Sequence, residues 1–192
     1  MRTFIVLCWA LSLASAAAAQ ERVHPAARTR TDAAVSDPYT RLRVHGSVMV
    51  GELAPDFELT SSTGSDVTLS RLRGDWLLLR FVDDRQELAD QARMKEELDR
   101  MGVRLVAICG DKPQTLRTLV QRLSLPFDIL SDATGEVSAM YGFYDPATLG
   151  AQPGIVIVDR RGVVRMALQG GAPDDQVIEL TRFTMASVQP QP

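Results

Sequence analysis

Cysteine is nearly missing from this sequence: 192 residues hold two, Cys8 and Cys109. Cys8 lies in an apolar leader and leaves with it, so one thiol remains and an internal disulfide is excluded. Histidine is as scarce. His24 and His45 are the only two, with no cysteine or acid at ligand spacing beside them, so no metal site is expected. A basic surface is lacking too: the formal charge is −3, and from Gly51 onward acids outnumber lysines and arginines. That balance excludes nucleic acid as an expected partner. Five arginines and three acids fall between Gln20 and Val50, where spaced arginines in a polar stretch read as solvated rather than lipid-binding.

What is present suffices for a core, since 45% of the residues are hydrophobic and the length suits one ordinary domain with extensions. Residues 1–19 carry one basic residue, Arg2, then an apolar stretch Phe4 to Leu13 and small residues ending in Ala17-Ala18-Ala19. That order is a secretory signal with cleavage expected after Ala19, giving an exported chain, periplasmic or secreted, with no stable membrane anchoring afterwards. Residues 20–48 lack apolar periodicity and read as a flexible arm, 49–187 as the folded domain, and 188–192 as a disordered tail. Export places the protein where disulfides form, yet it uses none.

The domain is organised around the stretch from Trp76 to Met101. Trp76 to Val82 is a nearly continuous apolar run and suits a strand covered on both faces. The acids after it favour a helix N-terminus, with Asp84 and Glu87 at capping-box spacing. Met94, Leu98 and Met101 then mark one helical face before Gly102. Before this stretch, Phe57 to Leu69 reads as a small hairpin. After it come a strand ending at Cys109, a helix opened by Pro113, a short strand near Ile129, a short helix through Val137 and Met140, and a loop from Tyr144 to Gly150. Ile155 to Asp159 and Val163 to Leu168 read as an antiparallel hairpin, followed by a helix beginning at Asp174-Asp175. Together these imply an α/β fold, an open mixed β-sheet with helices on both faces.

Several short signatures coincide in order: Gly51-x-x-Ala54-Pro55-Asp56-Phe57-x-Leu59, Val67-Thr68-Leu69-Ser70-x-Leu72-Arg73-Gly74, Leu125-Pro126-Phe127-x-Ile129-Leu130-Ser131-Asp132, Tyr141-Gly142 and Ile157-Val158-Asp159-x-x-Gly162-Val163-Val164. Taken together they resemble the alkyl hydroperoxide reductase and thiol-specific antioxidant family, the peroxiredoxins and their relatives. The resemblance runs from about Val48 to Phe183. It implies a thioredoxin-like fold and thiol-dependent peroxide reduction or disulfide exchange, with no cofactor.

In typical members a cysteine opens the helix after the first central strand, where helix N–H groups and the dipole stabilise its thiolate. Here Asp83 to Ala92 contains no cysteine, serine or threonine. Asp83, Asp84, Arg85 and Glu87 therefore mark a vestigial active-site corner, its acids suited to capping rather than redox cycling. Pro153 stands where thioredoxin-like relatives carry a cis-proline, so the resemblance implies a cis bond there and a neighbouring edge that holds an extended peptide or partner protein. Cys109, at the end of a central strand, is the one thiol left for chemistry. Two functions follow: a non-catalytic module binding a peptide, protein or ligand, or an antioxidant oxidoreductase that uses Cys109 with an external thiol.

Overall fold

The structure is a computed structural model that describes residues 43–44, 48–83, 85–148 and 150–188, all within the unit Ser36–Pro192. Its strands are β1 (Arg43–Val44), β2 (Glu58–Thr60), β3 (Asp66–Thr68), β4 (Trp76–Val82), β5 (Val103–Cys109), β6 (Ile129–Ser131), β7 (Tyr144–Asp145), β8 (Gly150–Ala151), β9 (Gly154–Val158) and β10 (Val164–Gln169). Its helices are α1 (Arg85–Arg100), α2 (Pro113–Leu123), α3 (Glu136–Met140) and α4 (Asp174–Val188).

Six strands make one mixed sheet in the order β1-β10-β9-β4-β5-β6. β4, β5 and β6 run parallel, and β9 pairs antiparallel with both β4 and β10. Every residue of β4 is buried because both sheet faces are covered. Alternation along the strand sorts its side chains. Leu77, Leu79 and Phe81 join Phe57, Ile108, Tyr141 and Phe143 on one face, with α3. On the other, Trp76 and Leu78 pack with Met94 and Leu98 of α1 and Val177 of α4, while Val82 meets Leu88 of α1 and Leu116 and Leu119 of α2. The helical face expected from Met94, Leu98 and Met101 is the face that packs, and Gly102, at φ +71°, ends the helix in a conformation that suits glycine.

Both outer edges of the sheet are covered by the N-terminal part of the chain. At β6, Ser62 N donates to Ile129 O at 2.8 Å and Ser61 bridges Leu130. At β10, β1 pairs Arg43 with Gln169 and Val44 with Leu168. Arg43–Val44, within the stretch 20–48 expected to be a flexible arm, form a strand, and Val48 is buried in one cluster with Val164 and Ala167. An open edge attracts backbone whatever the side-chain pattern, and that pairing leaves no periodicity to read. The expected loop from Tyr144 to Gly150 is likewise closed by a small hairpin, β7 against β8.

Candidate functional site

Parallel pairing brings Val82, Cys109 and Ser131 side by side at the C-terminal ends of β4, β5 and β6. The corner identified from sequence opens there. Asp83 is exposed on it; Asp84 and the side chains of Arg85 and Glu87 lie outside the described residues, as do His24 and His45. Cys109 shares the corner's level but faces inward, 5% exposed among Val82, Leu88, Ala107, Leu116 and Ile129.

The loops leaving these strands are tied down by polar contacts. Asp132 N donates to Cys109 O at 2.9 Å. The Asp132 carboxylate, 1% exposed, accepts from Val137 N at 3.2 Å and from Ser138 N and Oγ, both at 2.7 Å, and so caps α3. Ser131 Oγ donates to Asp111 O at 2.7 Å. These groups hold the loops beside Cys109.

Pro153 departs from the expectation. No peptide bond among the described residues is cis, so the Gln152–Pro153 bond is trans. The segment is held extended on both sides: Gln152 N donates to Phe143 O at 2.5 Å, and Pro153 O accepts from Gly170 N at 2.7 Å. With those bonds made in the trans form, nothing offsets the ordinary preference of about 0.5–1 kcal/mol against cis. Gly154 is required here, because a Cβ would come within 2.9 Å of the Phe143 ring. Phe143 stacks edge-on against Phe81, centroids 4.8 Å apart, and Phe81 against Tyr141 at 5.4 Å. Tyr141 donates its hydroxyl to Pro55 O at 2.7 Å. Burial, with a smaller contribution from the Asp56 charge, pushes its ionisation far above the ordinary tyrosine range.

Two polar residues beneath α1 escaped the sequence reading. Arg80, 4% exposed in the middle of β4, donates from Nη2 to Ala172 O at 3.1 Å and pairs with Asp174 at 3.5 Å. Gln91 of α1 is fully buried, and neither its Oε1 nor its Nε2 has a hydrogen-bond partner. The charge within an otherwise apolar strand run was a visible signal for the first. Gln91 sits three residues from both Leu88 and Met94, on the stripe that packs, and that spacing was the signal for the second.

At the far end of the sheet, Asp159 closes the turn between β9 and β10. Its Oδ1 accepts from Arg161 N and Val163 N, both at 2.9 Å, and its Oδ2 from Arg165 Nε at 2.8 Å and Nη2 at 2.5 Å. Burial opposes ionisation there, but the Val163 amide, the Arg165 guanidinium and the Arg161 amide outweigh it and hold the carboxyl below its usual range. Asp56 behaves similarly: burial is outweighed by the hydroxyl and amide of Ser70, the Phe57 amide and the Arg73 charge. Among the described residues no group of three or more His, Cys, Asp or Glu could hold a metal ion. No helix among them is long and apolar enough to cross a membrane.

A parallel β4-β5-β6 core, an antiparallel β9-β10 hairpin and flanking helices define a thioredoxin-fold protein of the peroxiredoxin type. The crystal structure of peroxidoxin BcpB from Mycobacterium tuberculosis superposes with a TM-score of 0.65 at 20% identity, covering 74% of this chain and 99% of that one. That of Enterococcus faecalis AhpC gives 0.67 at 14% identity, covering 76% and 99%. The model of the AhpC/TSA family matches residues 50–167, and the chain belongs to that family. Its curated relatives include the chloroplastic peroxiredoxin Q of Oryza sativa subsp. japonica, 31% identical over 163 residues, 79% of this chain and 74% of that protein. The selenocysteine-containing peroxiredoxin PrxU of Peptoclostridium acidaminophilum is 27% identical over 135 residues, 62% of this chain and 66% of that protein. The family is one of peroxide reduction, and the structural likeness establishes the fold.

Proposed function

We propose that this chain is an exported member of the family that binds an extended peptide or partner protein and carries out no thiol chemistry. One observation carries the reading: Asp83 to Ala92, which leads from β4 into α1, contains no cysteine, serine or threonine, and the remaining thiol faces the core. A peroxidatic thiol needs solvent access and the free N–H groups of a helix start. Cys109 sits on a strand and is 5% exposed, so it is neither open to solvent nor at a helix start.

The partner docks on the side of the sheet that includes Pro153. Gln152 N and Pro153 O are spent on Phe143 and Gly170, so these two backbone groups offer a partner no free ladder of their own. Export through residues 1–19 delivers the protein to the periplasm or the medium, where a disulfide-free domain needs no oxidative folding.

Steady-state consumption of hydrogen peroxide and of an alkyl hydroperoxide, with dithiothreitol as reductant, tests this reading. The protein is expected to match the protein-free control, with Cys109→Ser identical to wild type. Turnover that Cys109→Ser abolishes would establish the antioxidant oxidoreductase instead. N-terminal sequencing of the exported form is expected to begin at Gln20.

A further inference from the structure

We propose that the end of the sheet opposite Pro153 is a reversible contact surface for an anionic lipid bilayer, made by arginines and flanked by two exposed apolar side chains. Three loops meet there. Gly74 N, just after the 3-10 turn Leu69–Leu72, donates to Arg160 O in the β9-β10 turn at 2.9 Å. Arg73 lies over Gly162, where a Cβ would come within 3.1 Å of its Nε. Leu53 bridges Val163, and Ala54 N donates to Gly162 O at 2.8 Å.

Arg71, Arg73, Arg104, Arg160, Arg161 and Arg165 belong to these loops and the adjoining strand starts, against Glu52, Asp56, Asp75 and Asp159. Two of those acids are already taken, Asp159 by Arg165 at 2.5 Å and Asp75 by Arg104 at 3.1 Å. Arg71, Arg160 and Arg161 are exposed and form no ion pair among the described residues. The whole chain carries a formal charge of −3, so this end runs against the general balance. The other end of the sheet is set the opposite way: Asp83, Asp111, Asp132, Asp174 and Asp175 follow the ends of β4, β5, β6 and β10, beside Lys112 and the buried Arg80. The molecule is therefore polarised along its strands, and a negative surface draws it in arginine end first.

The form of this end selects among anionic partners. The cavity between Ala54, Asp56, Leu69, Ser70, Arg73 and Asp159 measures about 10 Å³, room for one water, so neither a small anion nor an inserted side chain fits it. A bilayer needs no pocket. Guanidinium groups meet its phosphates, and Val50 and Leu53, each 59% exposed, enter the headgroup layer beside them. Both residues are held at the turn, since Gly51 N donates to Val164 O and Val164 N to Glu52 O, each at 2.8 Å. Such a contact is reversible and is no anchor. Gly154 pairs with Phe81 near the far end of β4, so the Pro153 side faces away from the lipid and stays open to the partner proposed above.

Cosedimentation of the full chain with phosphatidylglycerol–phosphatidylethanolamine vesicles, set against phosphatidylcholine vesicles, tests this. The neutral vesicles report any share due to the leader. Wild type is expected to prefer the anionic vesicles and to lose that preference as salt rises from about 0.1 to about 0.5 M. The variant Arg71→Gln, Arg160→Gln, Arg161→Gln should bind them roughly fivefold less per arginine, about a hundredfold less in all. Arg93→Gln, Lys112→Gln, Arg122→Gln removes the same charge from the helices and should bind as wild type does. No preference for anionic vesicles, or equal loss in the two triple variants with native circular dichroism, overturns the proposal. Retention on polyglutamate beads without vesicle uptake overturns it in favour of an acidic protein partner. Val50→Ser with Leu53→Ser is expected to weaken uptake roughly tenfold with the salt dependence kept, and unchanged uptake overturns the seating of these side chains in lipid. Vesicle uptake involves neither peroxide nor peptide, so its failure is distinguishable from failure of the non-catalytic reading.

Discussion

Asp159 and Gln91 are both polar side chains shut away from water, and the fold treats them in opposite ways. The Asp159 carboxylate receives four hydrogen bonds, two of them from Arg165; the Gln91 side chain receives nothing. The first sits at the turn that closes the β9-β10 hairpin, and the second lies on α1, the helix that follows β4. A satisfied buried carboxylate fixes a loop, whereas an unsatisfied amide costs about 1–3 kcal/mol. The difference separates a pole that is maintained for architecture from a helix seat whose polar groups are incompletely matched.

The largest effect should come from breaking the satisfied side. Asp159→Ala leaves the amides of Arg161 and Val163 and the Arg165 guanidinium without their acceptor, and is expected to cost about 3 kcal/mol. Urea denaturation measures it. Asp132→Ala uncaps α3 and removes the acceptor of Ser138, for about 2 kcal/mol by the same method.

Acid separates the two sites without mutation. The folded-state carboxyls of Asp159 and Asp56 are held below the unfolded value of about 3.9, so their stabilisation is complete above that value and drains as pH falls through the lower folded values. Wild type should therefore lose stability below about pH 4, and Asp159→Asn should show a shallower dependence there. Gln91→Met sharpens the other side. Removing two unmatched polar atoms with nearly the same shape is expected to stabilise by about 1 kcal/mol, a rise of roughly 2–4 °C in Tm. A fall in Tm would mean that Gln91 is matched in solution after all, and the contrast with Asp159 would lapse.

Much of this molecule was legible because hydrophobic period reports burial. Trp76 to Val82, the Met94–Leu98–Met101 stripe and the β9-β10 hairpin all follow from it, and Pro113 marks the start of α2 through its fixed φ. Arg43–Val44 was hidden, since edge pairing uses the main chain and demands no side-chain pattern. The partners of Arg80 and the missing partners of Gln91 were hidden for another reason. A polar residue within an apolar stripe is informative only when its surroundings are known, and those come from α4 and the sheet. Pro153 was misread as cis because resemblance carried a local geometry into a segment whose own hydrogen bonds are made in the trans form.

The central proposal is that the family's fold persists here without a reactive thiol. Its most direct test is the oxidation rate of Cys109 by hydrogen peroxide, followed by mass spectrometry in the folded protein and in urea. Burial predicts a slower reaction in the folded state than in the unfolded chain. A faster reaction in the folded protein, abolished by Cys109→Ser, would mean that the fold activates this cysteine and would contradict the account.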